Sequence, residues 1–277
     1  MAKVKESFDR KVKGKSDPDA KIQLEFADNG AIAVVTLNDP KLGNPMSPEM
    51  GDAFSCAVSE VRSDANVRAV VIRGAGKDFS IGGHRDMLIR LGSGAMTEQQ
   101  LHDFMLGFYN HWLPMLDLEV PVISALHGDC IGVAPVFACA PDIAIADETL
   151  NLQVTFAGLA LYPGMGLPWL IARKIGASRA ALLTMSNLAI SGREAERLGL
   201  VERCVTPGGV FDEALHIARE IAASGPSTVR LLKKNLRLQR SELQAELEAN
   251  AIQQAKDFQT DDYRARIAYY LPNYYDQ

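Results

Sequence analysis

The 277-residue sequence predicts an α/β fold, a mostly parallel sheet covered by helices and followed by a helical C-terminal region. Three observations carry that prediction. The short apolar runs "AIAVVTL" (31–37), "RAVVIR" (68–73), "VPVISAL" (120–126) and "DIAIAD" (142–147) have strand length and end at turn residues. Helical stretches separate them, so strand and helix alternate as in two copies of one α/β unit. From about residue 166 helical patterns dominate, and no low-complexity linker sets them apart.

The elements follow in order. Residues 1–21, "MAKVKESFDRKVKGKSDPDAK", are lysine-rich and lack an apolar run, so they read as a flexible, solvated tail and neither a secretory signal nor a membrane span. The strand 31–37 ends at "NDP". Ser47 then stands at a helix cap, Pro48 suits the first helical position and Glu49 lies in the first turn. The strand 68–73 ends at "GAGK" and leads to the loop "FSIGGHRD", with a helix after it. A longer helix covers roughly 97–115. The strand 120–126 ends at "HGD"; the apolar "IGVAPVFACA" forms a short helix starting near Val133, and the strand 142–147 follows. Further on, "AREIAASGP" stops at glycine and proline. "STVRLLKKNLRLQ", "SELQAELEANAIQQAKDF" and "TDDYRARIAYYL" each open with Ser or Thr at a capping position. The core is therefore expected over 22–205, with a helical region at 206–277.

Hydrophobic residues make up 47% and charged residues 23%, as in ordinary globular chains. A net charge of −5 gives no electrostatic case for nucleic acid or an anionic membrane as partner. Cys56, Cys130, Cys139 and Cys204 show neither CxxC spacing nor disulfide-framework density. They read as reduced core thiols of a cytoplasmic protein. The five histidines are not spaced as metal ligands, so no metal site is expected.

Two loops could form one site. In "FSIGGHRD" the pair Gly82–Gly83 allows close backbone approach to a ligand. In "LHGDCIGVAPVF" a strand ends, Gly132 follows, and a short helix brings unpaired N–H groups and a positive dipole end. Each alone is also an ordinary strand-to-helix turn. Together they could aim two N–H groups at one developing oxyanion.

The segments "VVTLNDPKLGNPMS", "RAVVIRGAGKDFSIGGHRDM", "VPVISALHGDCIGV", "DIAIADETLNLQVTFAGLALYPGMG", "IGASRAALLTMSNLAISGREAERLGLVERCV" and "FQTDDYRARIAYYL" resemble the crotonase superfamily, the enoyl-CoA hydratases and isomerases, over residues 22–270 or so. The resemblance implies a spiral of ββα repeats, and a helical C-terminal region that packs in homotrimers or homohexamers. It implies no cofactor, but an acyl-CoA or acyl-carrier thioester as substrate, held by its carbonyl oxygen between two backbone N–H groups. By position these belong to Ile81 and Val133, where the family usually has small side chains. Larger ones here should narrow the pocket. Gly82, Gly83 and Gly132 would shape it, and Lys41 matches a position that meets the nucleotide phosphates.

Departures from the family pattern bear on the chemistry. The two glutamates that serve hydratases correspond to Val136 and Phe156, and neither can transfer a proton. Both would make the pocket apolar and dry. His84 stands where the family often has aspartate; it is a candidate acid or base, or else a cap for the following helix. Tyr162 could donate a hydrogen bond into the pocket, or belong to the core. The basic C-terminal segment of the family is replaced by "LPNYYDQ". Enolate formation by decarboxylation fits this residue set best, because departing carbon dioxide leaves the enolate without a base. The alternatives are C–C hydrolysis of a 1,3-diketone and a catalytically degenerate binding or scaffold subunit.

Overall fold

The computed structural model describes residues 8–11, 19–236 and 240–274. Strands β1 (Phe8–Lys11), β2 (Ile22–Ala27) and β3 (Ile32–Leu37) form an antiparallel meander at one edge of the main sheet. Phe8–Lys11, within the stretch read from sequence as a flexible, solvated tail, is thus a strand paired with β2; residues 1–7 and 12–18 of that tail lie outside the described residues. Helix α1 (Pro48–Ser63) crosses to β4 (Ala69–Gly74). Helices α2 (Arg85–Leu91) and α3 (Glu98–Trp112) then lead to β5 (Val122–Leu126). Short β6 (Asp129–Ile131) and α4 (Val136–Cys139) precede β7 (Ile143–Asp147) and β8 (Asn151–Gln153). Then come α5 (Leu167–Ile175), α6 (Ala177–Ser186), β9 (Ala189–Ser191), α7 (Gly192–Leu198) and β10 (Arg203–Val205). The rest is helical: α8 (Val210–Ala223), α9 (Pro226–Leu236), α10 (Arg240–Asp257) and α11 (Asp261–Tyr274).

The main sheet runs β1-β2-β3-β4-β5-β7-β10, parallel from β3 onward, and a small second sheet runs β6-β8-β9. Side-chain alternation explains why the strands read as unbroken apolar runs. Ile32 and Val34 of β3, Ala69 and Val71 of β4, and Ile123 and Ala125 of β5 pack under α8 through Ala214, Leu215 and Ala218. Ala33, Val35, Val70 and Ile72 point the other way, into the main core with Phe54, Trp112 and Phe137.

Local signals fix the ends. The Ser47 side chain accepts the Met50 N–H, and Thr97 with Gln100 closes a capping box on α3. Thr260 Oγ1 accepts the Tyr263 N–H at the start of α11. The other two expected C-terminal caps differ. Helix α9 begins at Pro226, with Ser227 inside its first turn, and α10 begins at Arg240, one residue before Ser241. The short helix expected from Val133 begins at Val136, because turn-type bonds such as Val136 N–H to the Val133 carbonyl precede it. Cys130, Cys139 and Cys204 are buried, whereas Cys56 lies exposed on α1. Burial pushes the Cys139 thiol pKa up to about 12. No described helix is long and apolar enough to cross a membrane.

Helix α10 lies along α3, and one ionisable cluster ties them. His102 Nδ1 is 3.0 Å from Asp103 Oδ1 and its Nε2 is 2.9 Å from Glu248 Oε1. The Asp103 hydrogen bond, then Glu248, hold the His102 pKa above its usual 6.5 against desolvation. A folded-state pKa above the unfolded one stabilises fully below about pH 6.5, and that stabilisation fades as pH rises through the folded value. His102→Gln should therefore lower the melting temperature at pH 6 and do so less at pH 9. An equal loss at both would show that the tie does not depend on the imidazolium.

Candidate active site

The site begins with a buried asparagine. Asn44 adopts a left-handed φ of 52° and is fully buried. Its Nδ2 donates to the carbonyls of Ala75 (2.9 Å) and Asp78 (2.8 Å), and its Oδ1 accepts the Asp39 N–H (2.8 Å). Its own carbonyl accepts the Ser80 hydroxyl at 2.7 Å. Ser80 then laces the first glycine loop to the second. Its N–H donates to the Asp129 carbonyl (3.0 Å), and its carbonyl accepts the Ile131 N–H (3.0 Å). The contact leaves no room for side chains. A Cβ on Gly82, at φ +85°, would stand 2.5 Å from the Ile131 oxygen, and Gly132 faces it at φ +66°.

This lacing decides which amides are free. The Ile81 N–H donates to the Gly43 carbonyl at 2.9 Å, so it cannot be the oxyanion donor expected from sequence. The Gly82 N–H turns back to Ser80 Oγ (3.2 Å), and the His84 N–H goes to the Met46 carbonyl (3.0 Å). Among the described residues the N–H groups of Gly83 and Val133 have no acceptor, and both residues line one cavity. The amide pair is therefore Gly83 with Val133, not Ile81 with Val133. Ile81 instead contributes its side chain to the wall.

The cavity measures about 310 Å³. Met87, Leu88, Met105, Phe108 and Phe258 make most of it apolar, together with Phe156. Among the described residues no Asp, Glu, His, Lys, Arg or Cys lines it. Its polar side chains are Tyr109, Gln153, Thr155, Asn187, Gln254 and Tyr270. Burial drives the Tyr109 phenol pKa far above its ordinary value, opposed by a hydrogen bond with the Met165 backbone. Tyr109 is thus a neutral donor, and its hydroxyl donates to Gln254 Oε1 at 2.6 Å.

Several residues expected at the site stand elsewhere. His84 Nδ1 accepts the Asp86 N–H (3.2 Å) as the cap of α2, and His84 does not line the cavity. It is a cap here, not an acid or base. Val136 is buried in the core beside the cavity and not in its wall, because it opens α4 with its apolar side chain among the main core residues. Tyr162 is 40% exposed and takes part only through its backbone, whose N–H reaches Asp257 Oδ2 (2.7 Å) and whose carbonyl accepts Gln254 Nε2 (2.7 Å). Lys41 is exposed in a single 3-10 turn at Pro40–Leu42, away from the cavity lining. Gly83, Gly132 and Phe156 do line the cavity, while Gly82 works beneath it by packing the two loops.

Sequence reasoning passed over Asn44, Thr155, Tyr109 and the polar residues of α10. The last had a signal. Asn250, Gln254 and Asp257 recur at spacings of four and three, one face of a helix.

A family model described as enoyl-CoA hydratase/isomerase matches residues 27–273. The chain belongs to the enoyl-CoA hydratase/isomerase family. A Thermus thermophilus relative to which enoyl-CoA hydratase activity is ascribed is 32% identical over 215 residues, 78% of this chain and 83% of the relative. The short-chain-enoyl-CoA hydratase of Clostridium acetobutylicum is 31% identical over 207 residues, 74% of this chain and 77% of that one. The crystal structure of an enoyl-CoA hydratase from Bacillus halodurans superposes with a TM-score of 0.82 at 18% identity, covering 90% of this chain and 99% of that one. That likeness establishes the crotonase fold, in agreement with the sequence-based expectation.

This family member should tolerate changes at its two adjacent glycines very differently. Gly82→Ala forces a Cβ against a backbone oxygen at a left-handed φ and should cost about 2–3 kcal/mol or more. At Gly83 a Cβ would meet only side-chain methyls, the nearest Met87 Cε at 3.4 Å, so Gly83→Ala should cost under about 1 kcal/mol. Urea unfolding of both variants compares them directly; equal losses would contradict the lacing of the two loops.

Proposed function

We propose that this chain is an enzyme that binds an acyl thioester, of coenzyme A or a carrier protein, and forms its enolate by releasing a β-carboxyl group as carbon dioxide. The observation that carries the reading is a cavity with two unengaged amides and, among the described residues, no carboxylate or imidazole in its wall. The relatives' names supply the substrate class, since they are enoyl-CoA hydratases. Hydration itself needs groups that deliver and remove protons, and the positions that the sequence resemblance matches to the family's two glutamates hold Val136 and Phe156.

The thioester oxygen accepts from the Gly83 and Val133 N–H groups. The Cα–carboxyl bond breaks, its electron pair forms the C=C bond of the enolate, and the carbonyl pair moves onto oxygen. Carbon dioxide departs, and the carbon takes a proton from water. Charge thus moves from the carboxylate to an oxygen already faced by two oriented donors, where apolar walls screen them little. Lys41, exposed and with no ion pair among the described residues, would meet the nucleotide phosphates outside the cavity. Exposed Leu231, Leu232 and Leu236 on α9, and Met185 on α6, support packing against further copies of the chain, and the sequence resemblance suggests a homotrimer or homohexamer. Hydrolysis of a 1,3-diketone gains no support, since the histidine and aspartate it would use are missing from the described lining. A scaffold role leaves the free amide pair without a purpose.

Malonyl-CoA and methylmalonyl-CoA should release carbon dioxide, while crotonyl-CoA should be hydrated about 10²–10⁴-fold less efficiently than by a hydratase with its acid and base in place. Acetoacetyl-CoA should also give an enolate absorbance band on binding. Ordinary hydration of crotonyl-CoA without carbon dioxide release from either malonyl thioester would overturn this reading.

A further inference from the structure

We propose that the Thr155 hydroxyl recognises the β-carboxylate of the substrate and orients the bond that breaks, an inference that rests on the decarboxylation reading above. Thr155 follows β8 and lines the cavity. Its Oγ1 lies 3.6 Å from the point that a Cβ on Gly132 would occupy, so the hydroxyl neighbours the peptide leading to the free Val133 N–H. That hydroxyl has no hydrogen-bond partner among the described residues. Apart from Tyr270, which is 44% exposed, the other polar side chains of the cavity each hold a bond within the protein. Tyr109 donates to Gln254, Gln254 to the Tyr162 carbonyl, and Gln153 to the Asn187 carbonyl (2.6 Å), while Asn187 Oδ1 accepts the Gly158 N–H.

In a β-carboxyl thioester the carboxylate carbon is two bonds from the thioester carbonyl carbon. With the carbonyl oxygen on the amide pair, the proposal puts the carboxylate on the Thr155 side of Val133, and the described lining holds no cation to meet it. One neutral donor suits the step better than a cation would. The carboxylate loses its charge as carbon dioxide forms, so a strong ion pair would hold the ground state more firmly than the transition state. A single hydrogen bond instead fixes the torsion. It keeps the Cα–carboxyl bond across the plane of the thioester carbonyl, where its electron pair can enter the π system. The threonine keeps its proton throughout, and Cα is protonated by water as above.

Thr155→Val preserves the shape and removes the donor, and Thr155→Ser preserves the donor. With malonyl-CoA, Thr155→Val should lose about 10- to 100-fold in kcat/KM, and Thr155→Ser should stay within about threefold of wild type. A readout independent of turnover is competition binding with acetyl-CoA and with sulfoacetyl-CoA, whose sulfonate stands where the carboxylate would be and cannot leave. Wild type and Thr155→Ser should prefer sulfoacetyl-CoA, and Thr155→Val should lose the preference while binding acetyl-CoA as before. If malonyl-CoA is not turned over but the preference persists and depends on Thr155, the reaction reading falls and the recognition role stands. A wild type without the preference, a Thr155→Val variant that keeps it, or an equal loss of acetyl-CoA binding would overturn the role of Thr155.

Discussion

The site depends on the buried Asn44 side chain and the Ser80 hydroxyl that hangs from its carbonyl. Between them they pin the end of the turn after β4, the start of the first glycine loop, and through the Ser80 backbone the second loop as well. The Asn44 and Ser80 side chains are removed from water, so each of their bonds, if broken, would leave a buried polar atom unpaired at a cost of about 1–3 kcal/mol. This is why the amide pair needs no ligand to organise it. The Ile81 N–H is held by Gly43 and the Gly82 N–H by Ser80, which leaves the next one, on Gly83, without a partner. Free amides are the residue of a network in which their neighbours are all engaged.

A cavity that is apolar apart from a few neutral donors magnifies whatever charge the amides receive. At low effective dielectric two oriented N–H groups are worth much more than in water, and their alignment is already provided by the fold. The same dryness makes a buried carboxylate or imidazole costly unless it is paired. Phe156, buried in the cavity wall, adds apolar area and brings no charge that the wall would have to pair.

Much of the fold was legible in the sequence because its signals are local. The apolar runs of β3, β4, β5 and β7, the Ser47 and Thr260 caps and the two glycine loops all lie where pattern and turn chemistry put them. The site was legible only in part. Gly83, Gly132, Val133 and Phe156 line the cavity, but the direction of the Ile81 N–H is set by Gly43, a partner 38 positions away that no local pattern reveals. His84 was open between an acid or base and a helix cap, and the structure shows the cap. Its role is local, since a side chain accepting the N–H two residues on is an ordinary cap, which is why the sequence could offer it. Val136 and Tyr162 follow the chain correctly and differ only in where their side chains point, which is decided by packing.

The C-terminal helices show how fold and site are joined. Their apolar faces invite a reading as oligomer arms, yet α8 covers one face of the main sheet and α10 reaches the cavity from behind. Asn250 Oδ1 accepts the Gly166 N–H, Gln254 takes both Tyr109 and the Tyr162 carbonyl, and Asp257 accepts the Tyr162 N–H. Three polar residues on one helical face thus suspend the turn 162–166, and two of them, Asn250 and Gln254, are almost completely buried. Buried amides of this kind tolerate only one register, since a shift of one turn would leave several unpaired. The position of α10 along α3 is consequently fixed by the same bonds that hold Tyr109 and Gln254 in the cavity wall, so a change that moves this helix must also move that wall.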